Sequence, residues 1–326
     1  MLSIFRTNQL FVSALLLLFI AILRAYPFFF PIEWEAPKHG LLAAHIYQFT
    51  GQNSFVAYLS ASILLFFQAV IVNMMARIHR LDREVTMIPG LIYITLCSIL
   101  PEFLIFSPVL IANTFLLLAI LELLQTYKKT ACSDRIFNVG FWLAIASFCY
   151  VPYLGFTLGM MIGFRILRPF RLGERIAFFS GVIIPYFLLG VSFYLMDDLH
   201  HFWEVQFAGV GVISFFPLAL SFSSVLKILL FVLFIALTVL SYRVYTAKKN
   251  IDVQKKIDIF YWVLLSSLLI FAFHQAFYLE QLLALGIPLG IFLSLNLTAI
   301  ANRWAETWYF LAILSILLIQ YYPYLV

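Results

Sequence analysis

Carboxylates that could act as general bases stand in two polar segments near the start of the chain. Glu33 and Glu35 lie in the sequence EWE, and Glu102 lies in ILPEFL, between two apolar runs. A carboxylate activates a hydroxyl group by accepting its proton, provided that the two groups are held side by side. These three glutamates are therefore the candidate catalytic residues.

Basic and imidazole side chains near these acids are candidates for binding a phosphate or the rest of a substrate. They are Arg24, Lys38, His45, Lys227 and His274. Arg24 follows a long apolar run, so two interpretations stay open. Its side chain either extends outward to lipid headgroups or holds a phosphate or carboxylate with its planar guanidinium group. The same two interpretations apply to Lys227.

The signal for a metal site is weaker. Asp197 and His201 are four residues apart in MDDLHHFWE, a spacing that places both on one face of a helix. One carboxylate and one histidine supply fewer ligands than protein metal sites usually have. No cofactor is evident from the sequence, and a divalent cation is the one that this pair would fit.

The composition indicates that these groups are carried by a membrane protein. The 326 residues are 64% hydrophobic and 11% charged, whereas soluble domains are about half apolar and about a quarter charged. The net charge of +5 does not indicate nucleic-acid binding, because the basic residues fall in short tracts between apolar runs. We expect a polytopic, all-α helical bundle, with membrane lipids as its surroundings.

Eleven apolar segments are candidates for transmembrane helices. They are residues 9–30, 55–76, 85–100, 104–125, 136–151, 153–168, 176–196, 222–243, 258–278, 282–301 and 306–322. If the N-terminus is inside, only Arg24, Lys38 and Lys227 of the 20 basic residues lie on or near the outer side. This distribution follows the positive-inside rule and therefore predicts the orientation.

The first outer loop is predicted to contain a helix that lies along the membrane surface. Pro37 is suited to the first turn of a helix, and Gly51 is suited to its C-terminal end. Between them, apolar residues recur at helical spacing on one face. The predicted surface helix therefore runs from about Pro37 to Thr50.

This arrangement resembles the GT-C superfamily of membrane glycosyltransferases, which use polyprenyl-phosphate-linked sugars at the outer face. The resemblance covers mainly residues 1–200: an acidic outer loop after the first span, a surface helix, and a second acid, Glu102, after the third span. It implies that Glu33 or Glu35 acts in catalysis beside Glu102, and that a polyprenyl-phosphate carrier is a partner. Residues 201–326 would add further helices to one transmembrane domain spanning 1–326.

Two other functions stay open. A non-enzymatic lipid-handling, transport or assembly protein could retain the same arrangement. A membrane metal oxygenase of the carotenoid-cleaving type needs several histidines within helices, and only His274 meets that condition. The two ends of the chain also resemble an uncharacterised family of Bacteroidota inner-membrane proteins, which implies a multi-pass protein of the bacterial inner membrane and no particular activity.

Overall fold

The computed structural model describes residue 5 and residues 10–29, 41–52, 54–82, 85–169, 171–207, 211, 222–247, 249–272 and 278–321. Every regular element within these residues is a helix, so the expectation of an all-α fold is confirmed for this part of the chain. Long apolar segments favour helices because a helix satisfies its own backbone hydrogen bonds where water is absent.

The helices are connected mostly by short turns. In the first half they are α1 (Leu10–Leu23), α2 (Tyr26–Phe29), α3 (Leu41–Gln52), α4 (Ser54–Ile78), α5 (Ile88–Leu96), α6 (Pro108–Leu124), α7 (Ser133–Cys149) and α8 (Phe156–Leu167). In the second half they are α9 (Leu172–Leu195), α10 (Leu199–Gln206), α11 (Phe222–Leu240), α12 (Tyr242–Thr246), α13 (Ile251–Ala272), α14 (Gly286–Ala299) and α15 (Asn302–Tyr321). Short 3₁₀ segments cover Pro101–Phe103, Val151–Gly155 and Leu279–Leu285.

Each of the eleven predicted segments overlaps at least one of these helices, and the helix limits differ from the predicted ones by several residues in both directions. Within the described residues, three helical stretches are long and apolar enough to cross a membrane: Ser54–Ile78, Leu172–Leu195 and Leu279–Ala299. The finding is consistent with a membrane protein, and the count of eleven spans stays a prediction.

The surface of α4 fits this interpretation. Its exposed apolar side chains follow the helical repeat along one face: Phe55, Leu59, Ile63, Phe67 and Val70. The opposite face packs in the core, where Ala61, Leu65 and Val72 are fully buried. An apolar stripe of this length on the outside of a protein is typical of contact with lipid.

The segment predicted to form a surface helix is helical, as α3, and its position along the membrane surface stays a prediction. It is described from Leu41 to Gln52, and the predicted start at Pro37 lies outside the described residues. The end at Gln52 lies two residues beyond the predicted end near Thr50. Gly51 does not adopt the left-handed backbone that ends helices, and it continues the helix instead.

A local cap fixes the start of α6, next to the turn that carries Glu102. The extended residue Ser107 precedes the helix, and its hydroxyl oxygen accepts a hydrogen bond of 3.2 Å from the backbone N–H of Leu110. Pro108 occupies the first helical position, where its missing N–H costs nothing. The cap therefore sets where the turn ends and the helix begins.

Helices α7 and α9 cross at two glycines. A Cβ atom on Gly140 would lie 2.2 Å from the carbonyl oxygen of Phe178, and one on Gly181 would lie 2.2 Å from that of Phe137. Only glycine permits backbones to approach so closely, and small residues of this kind are characteristic of helix contacts in membranes. This crossing joins α9 to the rest of the described bundle.

Polar contacts gather the connecting segments at two ends of the helices. At one end Lys227 pairs with Glu102, and at the other Arg168 donates hydrogen bonds to the carbonyl oxygens of Thr126 and Lys129. The charge pattern of the sequence predicts the same grouping. We call these the outer end and the inner end, after their predicted orientation.

His79, at the inner end just after α4, is expected to make stability fall in acid. Burial, and then the nearby Lys256 ammonium, lower the pKa of His79 from 6.5 to about 4. The folded protein therefore keeps this imidazole neutral, whereas the unfolded chain binds a proton below about pH 6.5. The stability that the neutral His79 imidazole contributes is therefore present above about pH 6.5 and is lost as the pH falls toward 4.

The matching experiment compares thermal unfolding of the wild type and His79→Leu at pH 7.5 and pH 5.0. Between these pH values we expect the free energy of unfolding to fall by roughly 1–2 kcal/mol more in the wild type than in the variant. The reason is that each unit of pKa difference is worth about 1.4 kcal/mol. His200→Leu is the control, since His200 is exposed on α10. Equal acid sensitivity of His79→Leu and the wild type would contradict a neutral buried imidazole.

Candidate functional site

Arg24 is the most deeply buried charged group at the outer end. It follows α1, and only 1% of its surface is exposed. Its guanidinium donates to the hydroxyl oxygen of Ser98 at 3.4 Å, to the carbonyl oxygen of Cys97 at 3.1 Å and to that of Phe103 at 2.6 Å. The side chain therefore turns inward and fastens the segment between α5 and α6.

This arrangement corrects one of the two interpretations of Arg24. The side chain does not extend to lipid headgroups, because backbone carbonyl oxygens inside the protein offer better hydrogen-bond acceptors to a buried cation. The first helix also ends at Leu23 instead of continuing to residue 30, so Arg24 lies beyond it. The Nη1 atom has no partner among the described residues.

Glu102 stands on the segment that Arg24 fastens, and it pairs with Lys227. The Lys227 ammonium lies 2.5 Å from Oε1 of Glu102. Helix α11 is held beside this segment by an edge-to-face contact between the rings of Phe103 and Phe231, whose centroids are 5.8 Å apart. The second carboxylate oxygen, Oε2, is buried and has no hydrogen-bond partner within the described parts of the chain.

A third buried polar atom without a described partner belongs to a residue that contacts the same segment. Gln320, near the end of α15, donates from Nε2 to the carbonyl oxygen of Ser98 at 2.6 Å. Its Oε1 atom has no partner among the residues that the structure describes. The segment from Cys97 to Phe103 is thus bordered by one unpartnered donor, on Arg24, and two unpartnered acceptors, on Glu102 and Gln320. Buried polar atoms are normally paired, so such atoms indicate where a polar ligand or water would bind.

Glu280 is a half-buried acid that was not selected from the sequence as a site residue. It lies in the 3₁₀ segment Leu279–Leu285, and the hydroxyl of Tyr47 on α3 donates a hydrogen bond to it. Burial, and then the nearby Glu280 carboxyl, raise the pKa of Tyr47, so the phenol keeps its proton. The only sequence signal for Glu280 was its position in a segment predicted to be outside.

The 3₁₀ segment that carries Glu280 is itself held by buried hydrogen bonds. Asn113 on α6 donates from Nδ2 to the carbonyl oxygen of Leu283 at 3.0 Å, and Tyr153 donates to Oδ1 of Asn113 at 2.7 Å. On the α3 side, Thr50 donates to the carbonyl oxygen of Phe106 at 2.9 Å. These contacts bring α3, α6 and the two 3₁₀ segments together into one end of the bundle.

Four of the predicted site residues lie outside the described residues: Glu33, Glu35, Lys38 and His274. His45 is described and exposed on α3. Of the predicted set, the structure therefore brings together Glu102, Lys227 and Arg24.

In the segment with the weak metal signal, the side chains of Asp197 and His200 are exposed. Asp197 lies in a turn with a positive φ of 56°, and His201 belongs to α10. The neighbouring pair His200 and Glu204 is joined at 2.9 Å, on exposed side chains. Within the described residues there is no group of three potential metal ligands. A divalent cation stays a prediction.

No family model, no curated protein and no solved structure matches this chain. The resemblance to the GT-C superfamily therefore stays a prediction. The described residues of the outer end, above all Glu102, Lys227 and Arg24, are the basis for inferring a function.

Proposed function

We propose that this protein is a multi-pass protein of a bacterial inner membrane that transfers a sugar from a polyprenyl-phosphate carrier to an acceptor hydroxyl. The observation that carries the proposal is the state of Glu102. One of its carboxylate oxygens contacts the Lys227 ammonium, and the other is buried without a partner among the described residues. A base and a cation are thus held side by side at the predicted outer face.

In this proposal Lys227 binds the carrier phosphate and Glu102 is the general base. As the phosphate approaches, it competes with Oε1 of Glu102 for the Lys227 ammonium. The acceptor hydroxyl donates its hydrogen bond to the unpartnered Oε2. A buried acceptor without a partner favours such a donor, because the desolvation cost of that oxygen has already been met.

The transfer step forms one bond and breaks one bond. The acceptor oxygen forms a bond to the anomeric carbon of the sugar while its proton passes to Glu102. The bond between the anomeric carbon and the phosphate oxygen breaks, and the polyprenyl phosphate departs with that electron pair. The Lys227 ammonium stabilises the negative charge that develops on the departing phosphate. Arg24 is a positioning residue, because it holds the segment on which Glu102 stands.

A transfer assay with a radiolabelled polyprenyl-phosphate sugar tests the assignment. Both Glu102→Gln and Lys227→Gln are expected to lower the transfer rate at least about tenfold, with unfolding temperatures that stay close to the wild-type value. Glu204→Gln is the matched control, since Glu204 is an exposed acid of the same end. Unchanged transfer by a folded Glu102→Gln protein would remove Glu102 from catalysis.

The second candidate function is non-enzymatic handling of lipids. It is favoured by the fact that the described charges of the outer end satisfy one another: Glu102 neutralises Lys227, and Arg24 binds protein oxygens. Such contacts also serve a purely structural role.

A charge-swapped double variant, Glu102→Lys with Lys227→Glu, distinguishes the two functions. It keeps an ion pair but removes the carboxylate from the segment held by Arg24. The transferase proposal expects a folded protein without sugar transfer. The non-enzymatic alternative expects no sugar transfer by the wild-type protein either. It also expects the swapped protein to bind polyprenyl phosphate as tightly as the wild type does.

A further inference from the structure

We propose that a cavity at the inner end binds the phosphodiester headgroup of a membrane phospholipid. Two adjoining cavities, of about 350 and 220 Å³, share the lining residues Arg77, Val85 and Thr86. Their walls come from the last turns of α4 and from the segment that leads into α5. This site is separate from the outer end and does not depend on the function proposed there.

Two buried polar side chains in the cavity walls lack hydrogen-bond partners among the described residues. Asn73 and Thr86 are each 6% exposed, and the atoms concerned are Nδ2 of Asn73 and Oγ1 of Thr86. The Asn73 amide is fixed in orientation, because its Oδ1 accepts a hydrogen bond of 2.7 Å from the backbone N–H of Gly90. Its NH₂ group packs against Gly90 and has no acceptor in the described part of the chain. In this proposal a phosphate oxygen supplies the missing partner of the Thr86 hydroxyl.

The charges around the cavity fit an ion with one negative charge. Arg77 follows Asn73 by one helical turn, and Arg80 also lines the larger cavity. Asp82 lies in the same wall, so the described charged groups of the cavity sum to one positive charge. A phosphodiester carries a single negative charge, and the planar fork of arginine is well suited to phosphate oxygens.

Arg80 occupies a backbone position at which glycine is usual. Its φ of 50° is left-handed, and the N–H groups of Arg80 and Leu81 close the end of α4 on the carbonyl oxygens of Arg77 and Ala76. This is the helix ending in which glycine is preferred, and a larger residue costs about 1 kcal/mol there. Arg80 therefore lowers stability where it stands, which is expected of a residue that binds a ligand.

The smaller cavity gives the reason for choosing a lipid over free phosphate. Its wall includes Val70 and Met74 beside Asn73. Val70 belongs to the exposed apolar stripe of α4, so the cavity leads from the arginines toward the face expected to contact lipid. A phospholipid matches both the polar and the apolar part of the cavity. Its phosphate would lie at Arg77 and Arg80, and an acyl chain would lie along Val70.

The variant Arg80→Gly separates binding from folding. It removes a ligand of the phosphate and also relieves the left-handed strain, so the unliganded protein should be as stable as the wild type or more so. The matched control is Lys128→Gly, because Lys128 is another basic residue of the inner end with a left-handed φ, of 58°. Both substitutions remove one positive charge. Only Arg80→Gly is expected to weaken phospholipid binding, by about tenfold.

A second variant, Thr86→Val, tests the uncharged part of the site. It keeps the shape of the side chain and removes a buried hydroxyl that has no partner in the described structure. Stability should therefore be unchanged or improved, while phospholipid binding weakens severalfold.

Binding is measured in detergent as the rise in unfolding temperature on adding phosphatidylglycerol, with diacylglycerol and inorganic phosphate in parallel. The proposal expects a rise with phosphatidylglycerol that is lost in Arg80→Gly and retained in Lys128→Gly. A comparable rise with inorganic phosphate alone, lost in the same variant, would support a phosphate site filled from solution. The proposal is overturned by an equal rise with diacylglycerol, by equal effects of the two glycine variants, or by full binding in Thr86→Val.

Discussion

Replacing Gly181 by valine is expected to abolish the packing of α9 against α7. The backbone carbonyl oxygen of Phe137 lies 2.2 Å from the position of a Cβ on Gly181. Backbone atoms cannot rotate away as a flexible side chain does, so the two helices must separate along their whole contact. We expect a loss of roughly 3 kcal/mol or more, because forced separation costs packing on both helices.

A pair of alanine variants on the same helix makes the comparison sharp. Alanine normally stabilises a helix relative to glycine by about 0.5–1 kcal/mol. Gly190 has nothing within 4 Å of its Cβ position, so Gly190→Ala should show that ordinary gain. Gly181→Ala should instead lower the unfolding temperature in detergent. If both variants behave alike, the close crossing of the two helices is wrong.

The helices themselves were largely predictable from the sequence. Long apolar runs bounded by short basic tracts indicate helices directly, and each predicted segment overlaps at least one helix. Their limits were less predictable where a local choice decides them. Gly51 is an example, because its sequence neighbours do not show whether a glycine will be left-handed and end a helix or stay right-handed and continue it.

The candidate site was only partly predictable, because its contacts join distant parts of the chain. The charge pattern placed Glu102 and Lys227 at the same end, yet several other outer acids were equally available as partners for Lys227. Arg24 stood out as a cation beside an apolar run, but the direction of its side chain depends on carbonyl oxygens more than seventy residues away. The crossing of Gly140 and Gly181 likewise needed the packed structure.

Removing Arg24 is expected to have the second large effect. In Arg24→Leu the carbonyl oxygens of Cys97 and Phe103 and the hydroxyl of Ser98 lose a buried donor. Each buried acceptor without a partner costs about 1–3 kcal/mol, so the total should reach roughly 3 kcal/mol or more. Thermal unfolding in detergent measures the loss, and Arg303→Leu is the control because Arg303 is exposed on α15.

The variant Arg24→Lys distinguishes a positioning role from direct binding of the carrier phosphate. Lysine keeps the positive charge but has one nitrogen where Arg24 uses two, Nη2 for the two carbonyl oxygens and Nε for the Ser98 hydroxyl. If Arg24 mainly fastens the segment that bears Glu102, the unfolding temperature and kcat should fall together, with little change in KM for the lipid-linked donor. If its remaining Nη1 also binds the phosphate, KM should rise in addition to the fall in unfolding temperature. The three buried hydrogen bonds of the side chain favour the first result, because most of its donors already bind the protein.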